Sequence, residues 1–206
     1  MVRFGVMVED PFRWTLLALL IVNLGMSGIF RRRARAVETI ERSSESPGLI
    51  ALRLAFTLPL LLSLLAYLIR PAWMAWSQVS LPAWARWSGA ALGALTVPLN
   101  LWVLRSLGKN ISETVRTKES HELVTHGPYR WVRHPLYTAG LVLLTSAALL
   151  MASWVVAALA VAIAMGILWI VIPPEEEALI EKFGQRYREH KARTGRLLPR
   201  WSRPSA

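Results

Sequence analysis

The sequence predicts an all-α membrane protein with five transmembrane helices. Of its 206 residues, 54% are hydrophobic, the mean hydropathy is +0.38, and the charged residues fall into a few clusters. A chain of this composition has too little polar surface to coat a soluble globule. A helix needs about 20 apolar residues to cross the ~30 Å hydrocarbon core of a bilayer, and several apolar runs reach that length.

The first three spans follow directly from apolar runs, which cover roughly Phe12–Phe30, Leu49–Ile69 and Ala83–Leu104. The first run is not predicted to be a signal peptide, because its basic residues follow it and no short apolar core with a cleavage site precedes them. Residues 1–104 are therefore expected to hold three membrane helices, and they carry no recognisable motif.

The last apolar run, Leu136–Ile172, is too long for one crossing. As a single helix its roughly 37 residues would extend about 55 Å. Two spans joined by a tight turn near Met151–Trp154 fit the bilayer better. Spans four and five are therefore predicted to form a tight helical hairpin.

Basic residues determine the predicted orientation, because Lys and Arg near span ends are retained on the cytoplasmic side. Most of them follow spans one, three and five, whereas the other side keeps only Arg3, Arg13, Arg70 and Arg86. This asymmetry predicts an N-terminus outside, a cytoplasmic C-terminus and an odd number of spans. The expected location is the cell inner (cytoplasmic) membrane, with any functional site at span ends facing the cytoplasm.

The net charge of +11 does not by itself indicate a nucleic-acid partner. Basic residues that bind nucleic acid form a continuous face on a soluble domain, whereas here they lie at span ends, where topology and anionic lipids explain them. The chain has no cysteine, which excludes disulfides, thiolate metal sites and a cysteine nucleophile. We predict no metal site, and the lipid bilayer is the expected partner.

Two polar blocks flank the last apolar run. The first extends from His121 to Tyr137 and mixes charged, aromatic and proline residues; the second begins with Glu175-Glu176-Glu177. If the run folds back as a hairpin, both blocks meet on one side of the bilayer. Convergent polar groups of this kind predict an active site.

The residues of these blocks match a known pattern. It reads His121-x-Leu-Val-Thr-x-Gly-x-Tyr129, Arg133-His134-Pro135-x-Tyr137-x-x-Gly140, Glu175-Glu176-x-x-Leu179 and Phe183-Gly184-x-x-Tyr187. This pattern resembles the isoprenylcysteine carboxyl methyltransferase family and its relatives among phospholipid and small-thiol methyltransferases. The resemblance covers about residues 105–200. It implies an all-helical membrane fold, S-adenosyl-L-methionine as methyl donor, and a cofactor pocket between the loop before span four and a short helix after span five.

On this resemblance, residues 105–206 form the catalytic region, with a cofactor loop, the helical hairpin and a C-terminal amphipathic helix. The implied cofactor-binding residues are His121, Glu122, Leu123, Val124, Tyr129, His134, Pro135, Leu136, Tyr137 and Glu175. Glu175 would take an amine or hydroxyl of the donor. We add Arg133 as a partner for the donor carboxylate, because a guanidinium pairs with a carboxylate in a fixed fork.

The catalytic residues are less defined. A carboxylate or thiolate acceptor needs no general base, whereas a protonated amine needs one, with His121, His126 or Glu176 as candidates. An apolar acceptor is concentrated in the bilayer, so a lipophilic small molecule, lipid or lipidated acceptor is expected. Carboxyl methyltransferases of the family have an arginine four residues before the donor-binding Glu, where this chain has Val171; Arg196 is a candidate for supplying the missing cation.

Each motif also has an ordinary structural interpretation. Gly127-Pro128 is typical of a turn, His134-Pro135 of a helix start, and an acidic run after two prolines of a helix N-terminus. Asn100, inside span three, is equally consistent with interhelical bonding and with a substrate contact. The competing functional hypothesis is a non-catalytic transporter or scaffold that retains a remnant of the cofactor pocket.

Overall fold

The computed structural model describes residues 10–35, 47–108 and 123–200, and this part of the chain is helical apart from short connections. The helices are α1 (Pro11–Arg35), α2 (Pro47–Ile69), α3 (Ala83–Leu107), α4 (Pro135–Met151), α5 (Trp154–Gly166), α6 (Ile172–Phe183) and α7 (Gln185–Arg193). Short 3-10 turns lie at Pro71–Ser77 and Gly127–Arg130. The all-α prediction is confirmed for these residues.

Four helices in the described ranges are long and apolar enough to cross a membrane, namely Pro11–Arg33, Ile50–Ile69, Ala83–Leu107 and Trp154–Phe183. The apolar helix α4 is shorter, with 17 residues. The described part of the chain thus has four to five candidate spans. The turn between α4 and α5 falls at Ala152 and Ser153, as predicted; Ala152 has φ +50°, and the Ser153 hydroxyl caps α5.

One end of the bundle is joined by a polar cluster that links four helices. Tyr67 Oη donates to Asp10 Oδ2 at 2.7 Å, and Arg86 Nη2 donates to Tyr67 Oη at 3.0 Å. Arg86 Nε also donates to the carbonyl of Leu150 at 3.0 Å. The start of α1, the end of α2, the start of α3 and the end of α4 therefore lie together at this end, and the start of α4 lies at the other.

Buried polar side chains hold α1 against α3. Asn23 Oδ1 accepts hydrogen bonds from Asn100 Nδ2 at 2.7 Å and from Thr96 Oγ1 at 3.1 Å. All three residues are buried. Amides within a bilayer need such partners, so the structure favours the interhelical role of Asn100 over a substrate contact.

Helices α3 and α4 approach closely at Gly89. Ser146 Oγ donates to the Gly89 carbonyl at 2.7 Å, and a Cβ added at Gly89 would lie 2.7 Å from Leu149 Cβ. This contact fixes the position of α4 relative to α3, and with it the loop that leads into α4.

The acidic block does not begin a separate short helix, which differs from the expectation. Helix α5 continues into α6 through a π-helical segment, Ile167–Val171, and the backbone N–H of Ile172 bonds to the Ile167 carbonyl. Pro173 and Pro174 have no N–H to donate and would crowd an ordinary helix. The wider π turn just before them lets the helix continue. Gly184, with φ +57°, then ends α6.

Candidate active site

The loop before α4 is anchored on α3 by a glycine. Gly127 has φ +60°, and a Cβ there would collide with Ser106 Oγ at the end of α3. Because left-handed backbone and close approach both favour glycine, the 3-10 turn Gly127–Arg130 is fixed at this point. The loop ends at His134, and Pro135 occupies the first position of α4, where a missing N–H costs nothing.

The segment after α7 pairs with this loop through the backbone. Arg133 N donates to the Gly195 carbonyl at 2.9 Å, His134 N to the Arg196 carbonyl at 3.1 Å, and Gly195 N to the Trp131 carbonyl at 3.0 Å. These bonds form a short parallel bridge. The tail is therefore held next to the loop that carries Arg133 and His134.

Glu176 lies at the centre of a buried ionic cluster. It is 2% exposed. Its Oε1 accepts from Arg133 Nε at 2.8 Å and lies 3.4 Å from His134 Nε2. Its Oε2 lies 2.7 Å from Lys191 Nζ and 3.8 Å from Arg196 Nη2. A carboxylate compensated by this many cations is a poor base, so these contacts favour a structural role for Glu176.

Arg133 makes further contacts with the protein itself. Its Nη1 donates to the carbonyl of Lys191 at 3.1 Å and also to the carbonyl of Thr194. Together with the Glu176 bond, these contacts fix the guanidinium against α6 and the tail. They favour a positioning role; pairing of Arg133 with a donor carboxylate stays a prediction.

Glu175 differs from its neighbour in being partly open. Its side chain is 28% exposed, its Oε2 accepts from Tyr137 Oη at 3.0 Å, and His134 Nδ1 lies 3.8 Å away. The rings of His134 and Tyr137 stack, with centroids 5.7 Å apart. Burial, and after it the negative charge of Glu175, raises the pKa of Tyr129. Glu175 is thus surrounded by aromatic side chains and is accessible to a ligand.

The remaining sequence-predicted residues are less closely grouped. His126 is exposed, and its carbonyl accepts from Tyr129 N at 3.2 Å. Within the described ranges it makes no hydrogen bond or ion pair with the two glutamates. Leu136 packs into an apolar cluster around Leu104. The half-buried Leu123 and Val124 precede the turn, and His121 and Glu122 lie outside the described residues.

Sequence reasoning missed Lys191 on α7 and gave no site role to Tyr187, although Tyr187 belongs to the motif pattern. Lys191 pairs with Glu176, and Tyr187, which is 2% exposed, packs beside this cluster. Burial, followed by the charge of Glu176, raises the pKa of Tyr187. Apart from Arg196, the tail's basic residues were interpreted as topology signals. The available indication was the motif Phe183-Gly184-x-x-Tyr187; in the structure Gly184, with φ +57°, lies between α6 and α7.

Comparison with known proteins relates this part of the chain to one family. The sequence model of the isoprenylcysteine carboxyl methyltransferase (ICMT) family matches residues 90–181, from α3 to α6. No curated protein matches the chain. A solved structure described as the eukaryotic intramembrane Ras methyltransferase isoprenylcysteine carboxyl methyltransferase, without a monobody, is similar in fold.

That structure aligns with a TM-score of 0.57 at 21% identity, covering 94% of this chain and 69% of the other. The likeness shows a shared fold. The family match covers the first polar block and the beginning of the second, including Glu175 and Glu176, and it does not favour the transporter or scaffold hypothesis. The chain thus resembles the isoprenylcysteine carboxyl methyltransferase family over residues 90–181 and shares the helical fold of that solved structure.

Proposed function

We propose that this protein transfers a methyl group from S-adenosyl-L-methionine to a lipophilic acceptor at the cytoplasmic face of the membrane. One observation carries the proposal: His134 of the loop and Tyr137 of α4 contact Glu175 of α6, whose side chain remains partly exposed. The neighbouring Glu176 is buried and forms ion pairs with Arg133 and Lys191. Two adjacent carboxylates thus have separate roles, one for a ligand and one for the fold.

The groups around Glu175 fit the donor. Among the described residues no side chain bonds to Glu175 Oε1, which leaves an acceptor for an ammonium or ribose hydroxyl. Tyr129 and Tyr137 offer aromatic walls for an adenine. Arg196, whose side chain is 39% exposed, provides a cation near enough to the cluster to attract a carboxylate. The donor supplies an electrophilic methyl group; the residues of this chain orient the reactants and exclude water.

We also propose that all five apolar helices cross the membrane. The 17 residues of α4 extend about 25 Å, which is at the short end of what a span requires. The bond from Arg86 to the carbonyl of Leu150 places the end of α4 beside the starts of α1 and α3. Helix α4 therefore runs from one end of the bundle to the other, which supports a cytoplasmic site and an outer N-terminus.

The acceptor is proposed to enter from the bilayer beside the π-helical segment. Trp169 and Ile170 are exposed there, at 69% and 41%, and Val171 is half-buried. These apolar side chains suit a lipophilic chain. They provide no cation for a carboxylate at the position where carboxyl methyltransferases of the family have arginine.

Equilibrium binding of labelled S-adenosylmethionine to the full chain in detergent tests the function. We expect binding by the wild type and a loss of tenfold or more for Glu175→Gln, about 1.4 kcal/mol, which is within the cost of a charge-assisted hydrogen bond. The matched control is Glu181→Gln, an exposed position on the same helix. Absence of binding by the wild type would overturn the proposal and favour a scaffold.

A further inference from the structure

A basic pocket lies beside the ionic cluster, on the side formed by α7 and the tail. Its volume is about 720 Å³. Five of its lining residues are basic and none is acidic. The basic residues are Arg133, Arg188, Lys191, Arg196 and Arg200.

The positive charge of the basic pocket is only partly compensated. Glu176 is within 4 Å of three of its cations, so one carboxylate faces five positive groups. Among the residues the structure describes, no carboxylate lies within ion-pair distance of Arg188 or Arg200; Arg200 Nη1 instead donates to the carbonyl of Ala192 at 2.7 Å. A concave site with this excess charge attracts an anion.

The location of the pocket indicates the source of that anion. Arg133 stands just before Pro135, where α4 begins its apolar run; with α4 crossing the membrane as proposed above, the pocket lies at the depth of the lipid headgroups. Leu198, another lining residue, is 70% exposed, and it presents an apolar surface beside the cations. Basic residues next to apolar surface at this depth are typical of contacts with acidic lipids.

We propose that the basic pocket binds the headgroup of an anionic phospholipid, with Arg188 and Arg200 contacting the phosphate. The bound lipid would hold the tail against the membrane. Because Gly195 and Arg196 pair with the loop before α4, the lipid would also stabilise that loop. The inference rests on the proposed crossing of the membrane by α4, and it does not depend on methyl transfer.

The test titrates phosphatidylglycerol, with phosphatidylcholine as the neutral reference, into the detergent-solubilised full chain and counts bound lipid by native mass spectrometry. We expect the anionic lipid to bind at least tenfold more tightly, a difference of about 1.4 kcal/mol. The double variant Arg188→Gln/Arg200→Gln should lose at least that factor. The double variant Arg188→Lys/Arg200→Lys should keep most of it.

The matched control is Arg186→Gln/Arg193→Gln, which removes the same charge from exposed positions of α7 outside the pocket; it should change affinity less than twofold. Equal losses from the two Gln pairs, or equal binding of the two lipids, would overturn the proposal. Complete displacement of the lipid by inorganic phosphate would assign the pocket to a small phosphate instead. Unchanged donor binding by the Arg188→Gln/Arg200→Gln variant would show that any lipid effect is separate from the methyltransferase site.

Discussion

Arg133 Nε and Glu176 Oε1 are 2.8 Å apart, and their side chains are 9% and 2% exposed. This ion pair joins the loop before α4 to α6. Lys191 of α7 pairs with the same carboxylate, with 2.7 Å between its Nζ and Glu176 Oε2. Three segments that are far apart in the sequence therefore meet at one buried charge.

The first prediction is that Glu176→Ala destabilises the fold strongly. Removing the carboxylate leaves the Arg133 guanidinium buried without its partner, and breaking a buried pair in this way costs about 3–5 kcal/mol. The free energy of unfolding in mixed micelles measures the loss. The control Glu177→Ala, at an exposed position, should change stability by less than about 0.5 kcal/mol; similar losses in both variants would contradict the role of the cluster.

The second prediction is that His134→Ala weakens donor binding more than Tyr137→Phe does. His134→Ala removes a ring that lies between both glutamates and stacks on Tyr137, so affinity should fall tenfold or more. Tyr137→Phe removes one hydrogen bond and keeps the ring, so donor affinity should fall only about fivefold. Donor affinity by calorimetry measures both. A larger effect from Tyr137→Phe than from His134→Ala would contradict this order.

The third prediction concerns topology. Because the chain has no cysteine, single cysteines can be labelled without background. Ser80→Cys, in the exposed connection before α3, should react with a membrane-impermeant maleimide in intact cells. Glu181→Cys should react only after permeabilisation. The reverse pattern would invert the proposed orientation. Labelling of both sites in intact cells would contradict an odd number of spans between Ser80 and Glu181.

The fourth prediction concerns the acceptor. A neutral or thiol-bearing lipophilic acceptor should be methylated faster than a prenylated cysteine analogue with a free carboxylate, because burying an unpaired carboxylate costs several kcal/mol, on the order of a broken buried ion pair. Val171→Arg should raise the relative rate with the carboxylate analogue. Rapid turnover of that analogue by the wild type would show that another basic residue, such as Arg196, binds the carboxylate.

The helical architecture was largely predictable, because bilayer thickness limits how long an apolar helix can be. That limit predicted a turn near Met151–Trp154 within a run that hydropathy alone leaves continuous, and the structure has the turn at Ala152 and Ser153. It did not reveal that α5 continues into α6. Pro173 and Pro174 predict a break, and a π turn that accommodates them has no hydropathy signal.

The part of the site whose residues lie in short motifs was predictable. The part formed by α7, which turns back toward the loop after α6, was not. The family resemblance implied that His134, Tyr137 and Glu175 line one pocket, and in the structure their side chains lie close together. Lys191 has no fixed spacing to Glu176, because their contact depends on the angle at which Gly184 ends α6. A single residue with positive φ sets that angle, and the sequence does not specify it.

The backbone bridge between Trp131 and Gly195 also bears on how the site forms during folding. The two segments that it joins are separated by the hairpin, α6 and α7, and closing so long a loop costs entropy before the contacts compensate. We therefore expect the helices to pack first and the bridge to close last. A mutation that weakens only the bridge should leave the helical bundle assembled and slow the final, local step of maturation.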